Sequence, residues 1–135
     1  MRHHPPLVLA ALLACLMLVA LPAASAPGLA GRWTGEMKLP NVFSPLPLHI
    51  VLTSLDGSLS GTGGPGPATQ YPLEDFRADG ASLHATLRVP GEEGDTFVFD
   101  LGLAEDRLSG KVTFRNRHGE WEGTATLTRE REPKP

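Results

Sequence analysis

Few groups of residues in this 135-residue chain combine the types and the spacing that catalysis or metal binding requires. The histidines His49, His84 and His118 follow an apolar N-terminal segment, and the single cysteine, Cys15, lies within that segment. His118 and Glu120 offer two metal ligands, but a structural or catalytic metal site normally needs three or four. No serine stands in a Gly-x-Ser-x-Gly turn. The sequence therefore predicts a protein that is not an enzyme and that has no metal site and no cofactor.

Two further segments could bind an ion, but their spacing is not typical of known sites. Glu92, Glu93 and Asp95 cluster between two apolar stretches without the spacing of a calcium-binding loop, and we interpret them as an exposed acidic turn. Residues 61–67 are rich in glycine but lack the Gly-Lys-Ser/Thr of a phosphate-binding loop. The formal net charge of the chain is −3, and the chain lacks the basic stripe of a nucleic-acid-binding protein, so no nucleic-acid partner is expected.

The N-terminal segment has the features of a signal peptide. Residues 1–26 combine a short basic start, an apolar run from Leu7 to Leu21 and the small residues Ala24-Ser25-Ala26. We therefore predict an exported protein, periplasmic or extracellular, although Pro27 is an unfavourable residue directly after a cleavage site. Two alternatives stay open: Cys15 as a lipidated N-terminus, and an uncleaved membrane anchor formed by residues 5–26. Only the uncleaved leader would make the membrane a partner.

Beyond the leader, apolar and polar residues alternate with a period of two, which is typical of half-buried β-strands. The chain is long enough for one domain, which we place at residues 27–129, followed by a charged, flexible tail at 130–135. Six segments alternate clearly and two more weakly, and together they predict strands near 32–39, 48–53, 58–63, 69–77, 83–89, 97–102, 108–114 and 121–127.

Turn sequences fix how these strands pair. Asp56-Gly57 and Asp79-Gly80 are typical of two-residue hairpins. The turn lengths place Leu52 opposite Gly61, Leu101 opposite Gly110, Phe99 opposite Val112 and Val112 opposite Gly123. The spacing of three between Leu73 and Phe76 predicts a β-bulge. We expect an all-β fold, an antiparallel up-and-down barrel of about eight strands, with a two-sheet β-sandwich as the alternative.

The predicted inner face mixes large and small side chains. Phe97, Phe99, Phe114 and Trp121 are candidate ligand-binding residues, with Gly110 beside them. Glycine in such a position either lets a small barrel curve sharply or leaves space for an apolar ligand, and we favour curvature.

The two ends of the domain resemble lipocalin-like barrels. Gly31-Arg32-Trp33 in the first strand and Arg129 in the last are similar to that family's signature. The resemblance implies that Gly31, Trp33 and Arg129 close one end of the barrel, with the Trp33 indole in the opening and Arg129 packed across it.

A second resemblance covers residues 29–129. Gly31-x-Trp33-x-Gly35, the Asp56-to-Gly61 segment and Leu127-Thr128-Arg129 are similar, in order and spacing, to a small β-barrel domain of bacterial exported proteins that often precedes a serine hydrolase. No hydrolase sequence follows here, and the glycine-rich segment 61–67 departs from the family pattern. The predicted barrel, the predicted export and the lack of catalytic motifs together lead us to expect a non-enzymatic binding or accessory module. Its expected partner is a small apolar ligand or, alternatively, a protein of the cell envelope such as an enzyme that it inhibits or assists.

Overall fold

The computed structural model describes residues 28–131. The predicted signal peptide with Cys15, the cleavage point before Pro27 and the last four residues of the predicted tail lie outside the described residues. Within residues 28–131 no helix is long and apolar enough to cross a membrane.

Eight antiparallel strands form a closed barrel in which each strand pairs with its neighbours in sequence and the last pairs with the first. The prediction of an up-and-down barrel is confirmed, and the alternative of a two-sheet sandwich is wrong, because β1 and β8 are joined through six residue pairs. The strands are β1 (Gly31–Lys38), β2 (Leu46–Leu55), β3 (Ser58–Gly66), β4 (Thr69–Asp79), β5 (Ser82–Arg88), β6 (Thr96–Ala104), β7 (Arg107–Asn116) and β8 (Gly119–Arg129).

The predicted registers are confirmed. Leu52 pairs with Gly61, Leu101 with Gly110, Phe99 with Val112, and Val112 with Gly123. The Asp56-Gly57 hairpin has both residues in the left-handed region, with φ of 53° and 81°. These angles are typical of a type I′ turn, whose twist matches that of the flanking strands.

A bulge in β4 interrupts the pairing with β5 where the sequence predicted it. The register shifts between Glu74 and Arg77, and Asp75 adopts a φ of 49°. The extra residue brings Phe76 to the same side of the strand as Leu73, and both pack against the core. A second irregularity, between Gly63 and Gly66 of β3, was not predicted.

Because consecutive strands run in opposite directions, the turns collect at two ends of the barrel. We call the end that contains Trp33 and the turns at 56–57, 80–81 and 105–106 the closed end. We call the other end the open end; it carries the connections 39–45, 67–68, 89–95 and 117–118. The hydrophobic core fills the barrel between them and includes Trp33, Ile50, Phe99, Val112 and Leu127, each at most 1% exposed.

Candidate functional site

Trp33 and Arg129 together cover the closed end of the barrel, as the lipocalin resemblance implied. Trp33 is completely buried, and its Nε1 donates a hydrogen bond to the carbonyl oxygen of Leu29 at 2.9 Å. The Arg129 guanidinium carbon lies 4.4 Å from the centroid of the indole ring. Arg129 also donates to the carbonyl oxygens of Ala30 at 2.6 Å and Gly28 at 3.0 Å. The guanidinium therefore holds residues 28–30, which lead into β1, close to the Trp33 ring.

Gly31 makes this arrangement possible. A Cβ atom at position 31 would lie 2.8 Å from Nη1 of Arg129, and the φ of 137° is one that side chains rarely adopt. Gly31, Trp33 and Arg129 are therefore a structural unit that stabilises the closed end.

Three of the five predicted ligand residues come together at the open end. Phe97 and Phe114 stack with centroids 4.8 Å apart, and Phe114 and Trp121 stack at 5.6 Å. Each pair lies directly across a strand pairing. We call these three side chains the aromatic row. Phe97 is 9% exposed, and Phe114 and Trp121 are half-buried, so the row is only partly covered.

The other two predicted ligand residues lie deeper. Phe99 is completely buried, with its ring centroid 6.4 Å from that of Phe97. A Cβ atom at Gly110 would overlap the carbonyl oxygen of Asp100, and one at Gly123 would overlap that of Lys38. These glycines let neighbouring strands approach closely, so backbone rather than a cavity occupies the space beside them. The close approach of β6 and β7 accounts for the glycine at position 110, and the barrel curvature that we favoured there stays a prediction.

A polar pair lies above the aromatic row at the open end. Asp95 directly precedes β6 and faces the same way as Phe97 two residues later, and Asn116 at the end of β7 faces the same way as Phe114. Nδ2 of Asn116 donates to Oδ1 of Asp95 at 3.2 Å, and both residues are half-buried. The sequence prediction of an exposed acidic turn missed this inward position of Asp95.

The other residues of that turn form the rim of the open end. Glu93 accepts bonds from His118 Nε2 at 2.6 Å and from Arg117 Nε at 3.4 Å, and its backbone carbonyl accepts from the Arg117 amide at 3.1 Å. These contacts tie the 89–95 connection to the turn at 117–118. His118 is therefore a rim residue in contact with Glu93.

The two other histidines lie on the outer face of the barrel, since they alternate with inward-facing residues of β2 and β5, but their surroundings differ. His84 is partly exposed and bonds through Nδ1 to Asp100 at 2.7 Å. His49 is only 5% exposed, because Glu130 reaches it at 2.6 Å and Gln70 donates to its backbone carbonyl at 3.1 Å. Sequence reasoning missed the contact with Glu130, since 81 residues separate the partners.

These clusters do not form a metal centre. In the part of the chain that the structure describes, no three histidine, cysteine, aspartate or glutamate side chains come close enough to hold a metal ion. Surface clefts lie at the closed end, beside Arg32 and Arg131, and on the outer face beside His84. None of these clefts is lined by a member of the aromatic row.

In comparisons with known proteins, no family model, no curated protein and no solved structure matches the chain.

Proposed function

We propose that the protein is an exported, non-enzymatic binding module that holds an apolar group of a small ligand on the aromatic row at the open end of the barrel. The observation that carries the proposal is the row itself: three stacked rings that line the inside of the open end and are only partly covered. Rings held in place by neighbouring strands lose little conformational freedom when a ligand covers them, which favours binding.

The packing below the row limits the depth of the site. Phe99 and Val112 are completely buried, and the strand backbone fills the space beside Gly110. An apolar ligand would therefore lie against the row near the rim, with part of its surface in contact with solvent. A shallow site of this kind buries less apolar area than an enclosed pocket, and we expect moderate affinity.

Titration of the protein with 1-decanol, followed by tryptophan emission, tests the proposal. Because Trp33 is completely buried, the emission change should arise from Trp121 and should be absent in Trp121→Phe. Phe114→Leu should weaken decanol binding about two- to tenfold, since leucine offers less apolar surface to the alkyl tail than phenylalanine. Phe76→Leu removes a ring from β4, outside the row, and is the matched control. An emission spectrum that stays unchanged at saturating decanol would contradict the proposal.

A second candidate function, contact with an envelope protein, is favoured by Phe43. This side chain is fully exposed on the 39–45 connection at the open end. A large exposed aromatic ring is typical of residues that contribute strongly to protein–protein binding. Capture of a partner from envelope extract should be lost in Phe43→Ser and retained in Leu55→Ser, which alters an exposed apolar residue at the closed end.

A further inference from the structure

We infer that the open end selects an apolar cation, such as a quaternary or alkyl ammonium group, between the carboxylate of Asp95 and the aromatic row. This inference rests on the proposed function and adds the charge of the ligand to it. It depends on three features of the described residues: the position of the carboxylate, its lack of a cationic partner and the chemistry of the row.

The carboxylate lies directly above the row. Asp95 precedes Phe97 by two residues on the same face of the chain, a distance of about 7 Å along an extended strand. Its hydrogen bond from Asn116 orients it across the open end, because Asn116 stands two residues beyond Phe114 on the neighbouring strand. A ligand that covers the rings therefore brings its head group to this carboxylate.

The described residues leave the charge of Asp95 uncompensated. The side chain of Asp95 accepts a hydrogen bond from the neutral amide of Asn116, and it forms no ion pair with any residue from 28 to 131. Three arginines at the same end bond to other carboxylates: Arg115 to Glu120 at 2.9 Å, Arg88 to Glu74 at 3.3 Å and Arg117 to Glu93 at 3.4 Å. A half-buried carboxylate in these surroundings attracts a positive ligand and repels a negative one.

The aromatic row adds a second preference of the same sign. The face of an aromatic ring is negative, so it attracts a cation that lies against it. A large ammonium group with carbon substituents carries its charge and also makes apolar contact with the rings, which a strongly hydrated metal ion does not. The combination of rings and carboxylate thus favours an organic cation.

Three probes with the same tail and different head groups test the inference: decyltrimethylammonium and decyl sulfate, both below their micelle-forming concentrations, and 1-decanol, below its solubility limit. Binding is followed by Trp121 emission. The cation should bind about fivefold or more tighter than the sulfate, which is the range expected for a cation over an aromatic face. If decanol binds but the cation and the sulfate bind equally, the inference fails and the proposed function stands. If none of the three binds, both fail.

Variants locate the preference. Asp95→Asn keeps an acceptor for Asn116 but removes the attraction between the carboxylate and the cation, and should reduce the cation-to-decanol affinity ratio about fivefold, while decanol affinity stays the same. Asp100→Asn removes a carboxylate from the outer face of β6 and should leave the ratio unchanged. A full cation preference in Asp95→Asn would overturn the inference.

A measurement on the unmodified protein covers the case in which Asp95→Asn does not fold. Tetramethylammonium should shift the nuclear magnetic resonance signals of the Asp95 amide and the Trp121 indole, while the amide signal of Asp100 stays in place. Shifts confined to other parts of the barrel would overturn the inference.

Discussion

Arg129 covers Trp33 at 4.4 Å and at the same time bonds the carbonyl oxygens of Ala30 and Gly28. One side chain of the last strand therefore contacts the aromatic ring of the first strand and the segment that leads into it. Since β1 and β8 also pair along their lengths, this contact reinforces the seam where the two ends of the chain close the barrel.

Loss of this guanidinium should destabilise the barrel. We expect Arg129→Met to lower the free energy of unfolding by about 2 to 4 kcal/mol, because the cation–ring contact and three charge-assisted hydrogen bonds, to Ala30, Gly28 and Asp106, disappear together. The stability of Arg129→Lys should lie between those of the unmodified protein and Arg129→Met. Lysine keeps the charge but lacks the planar group that contacts the Trp33 ring and the backbone carbonyl oxygens together. Urea unfolding followed by tryptophan emission measures the effect.

Arg107→Met is the control for Arg129→Met. Arg107 is an exposed residue at the same end, and its replacement should change stability by at most about 0.5 kcal/mol. Equal effects of the two replacements would contradict a structural role for the Arg129–Trp33 contact.

Gly110 offers a test of the close approach of β6 and β7. Gly110→Ala should destabilise the protein by about 1 to 3 kcal/mol, because the new methyl group would overlap the Asp100 carbonyl oxygen and force the strands apart. Gly102→Ala is the matched control, since a Cβ atom at Gly102 meets nothing within 4 Å. Equal tolerance of Gly110→Ala and Gly102→Ala would mean that there is free space beside Gly110. It would support the alternative hypothesis that Gly110 leaves room for an apolar ligand.

The sequence predicted the fold well because strand pairing obeys local rules. Alternation decides which side chains face inward, and a short turn such as Asp56-Gly57 then fixes the register of the whole hairpin. The inward order Phe97, Phe114, Trp121 follows from two such registers, so three of the five candidate ligand residues are neighbours in the structure.

What the sequence did not predict depends on contacts between distant segments or on the depth of a position. Phe99 and Phe97 have the same pattern, yet only the structure shows that Phe99 is sealed beneath the row. Asp95 belongs to an acidic turn in the sequence, and its inward position depends on where β6 begins. The burial of His49 depends on Glu130, which lies beyond the last strand in the predicted tail.

The two histidine–carboxylate pairs on the outer face should differ in strength. His49 and Glu130 have side chains 7% and 36% exposed, whereas His84 and Asp100 are 27% and 49% exposed. Alanine double-mutant cycles should give a coupling of about 1 to 2 kcal/mol for the first pair and at most about 0.5 kcal/mol for the second, because solvent weakens exposed pairs. Each pair is the control for the other, and equal couplings would mean that Glu130 does not hold the C-terminal segment on the barrel.

The two tryptophans should report the two ends of the barrel separately. Trp33 is completely buried at the closed end, and Trp121 is half-buried in the aromatic row. Acrylamide should therefore quench Trp121 readily and Trp33 weakly, so that Trp121→Phe leaves a protein with little quenching and an emission maximum at shorter wavelength. Phe76→Leu alters neither indole and should keep the quenching of the unmodified protein. Strong quenching in Trp121→Phe would show that Trp33 is open to solvent, and the closed end would then lack the seal that Arg129 and Leu29 give it.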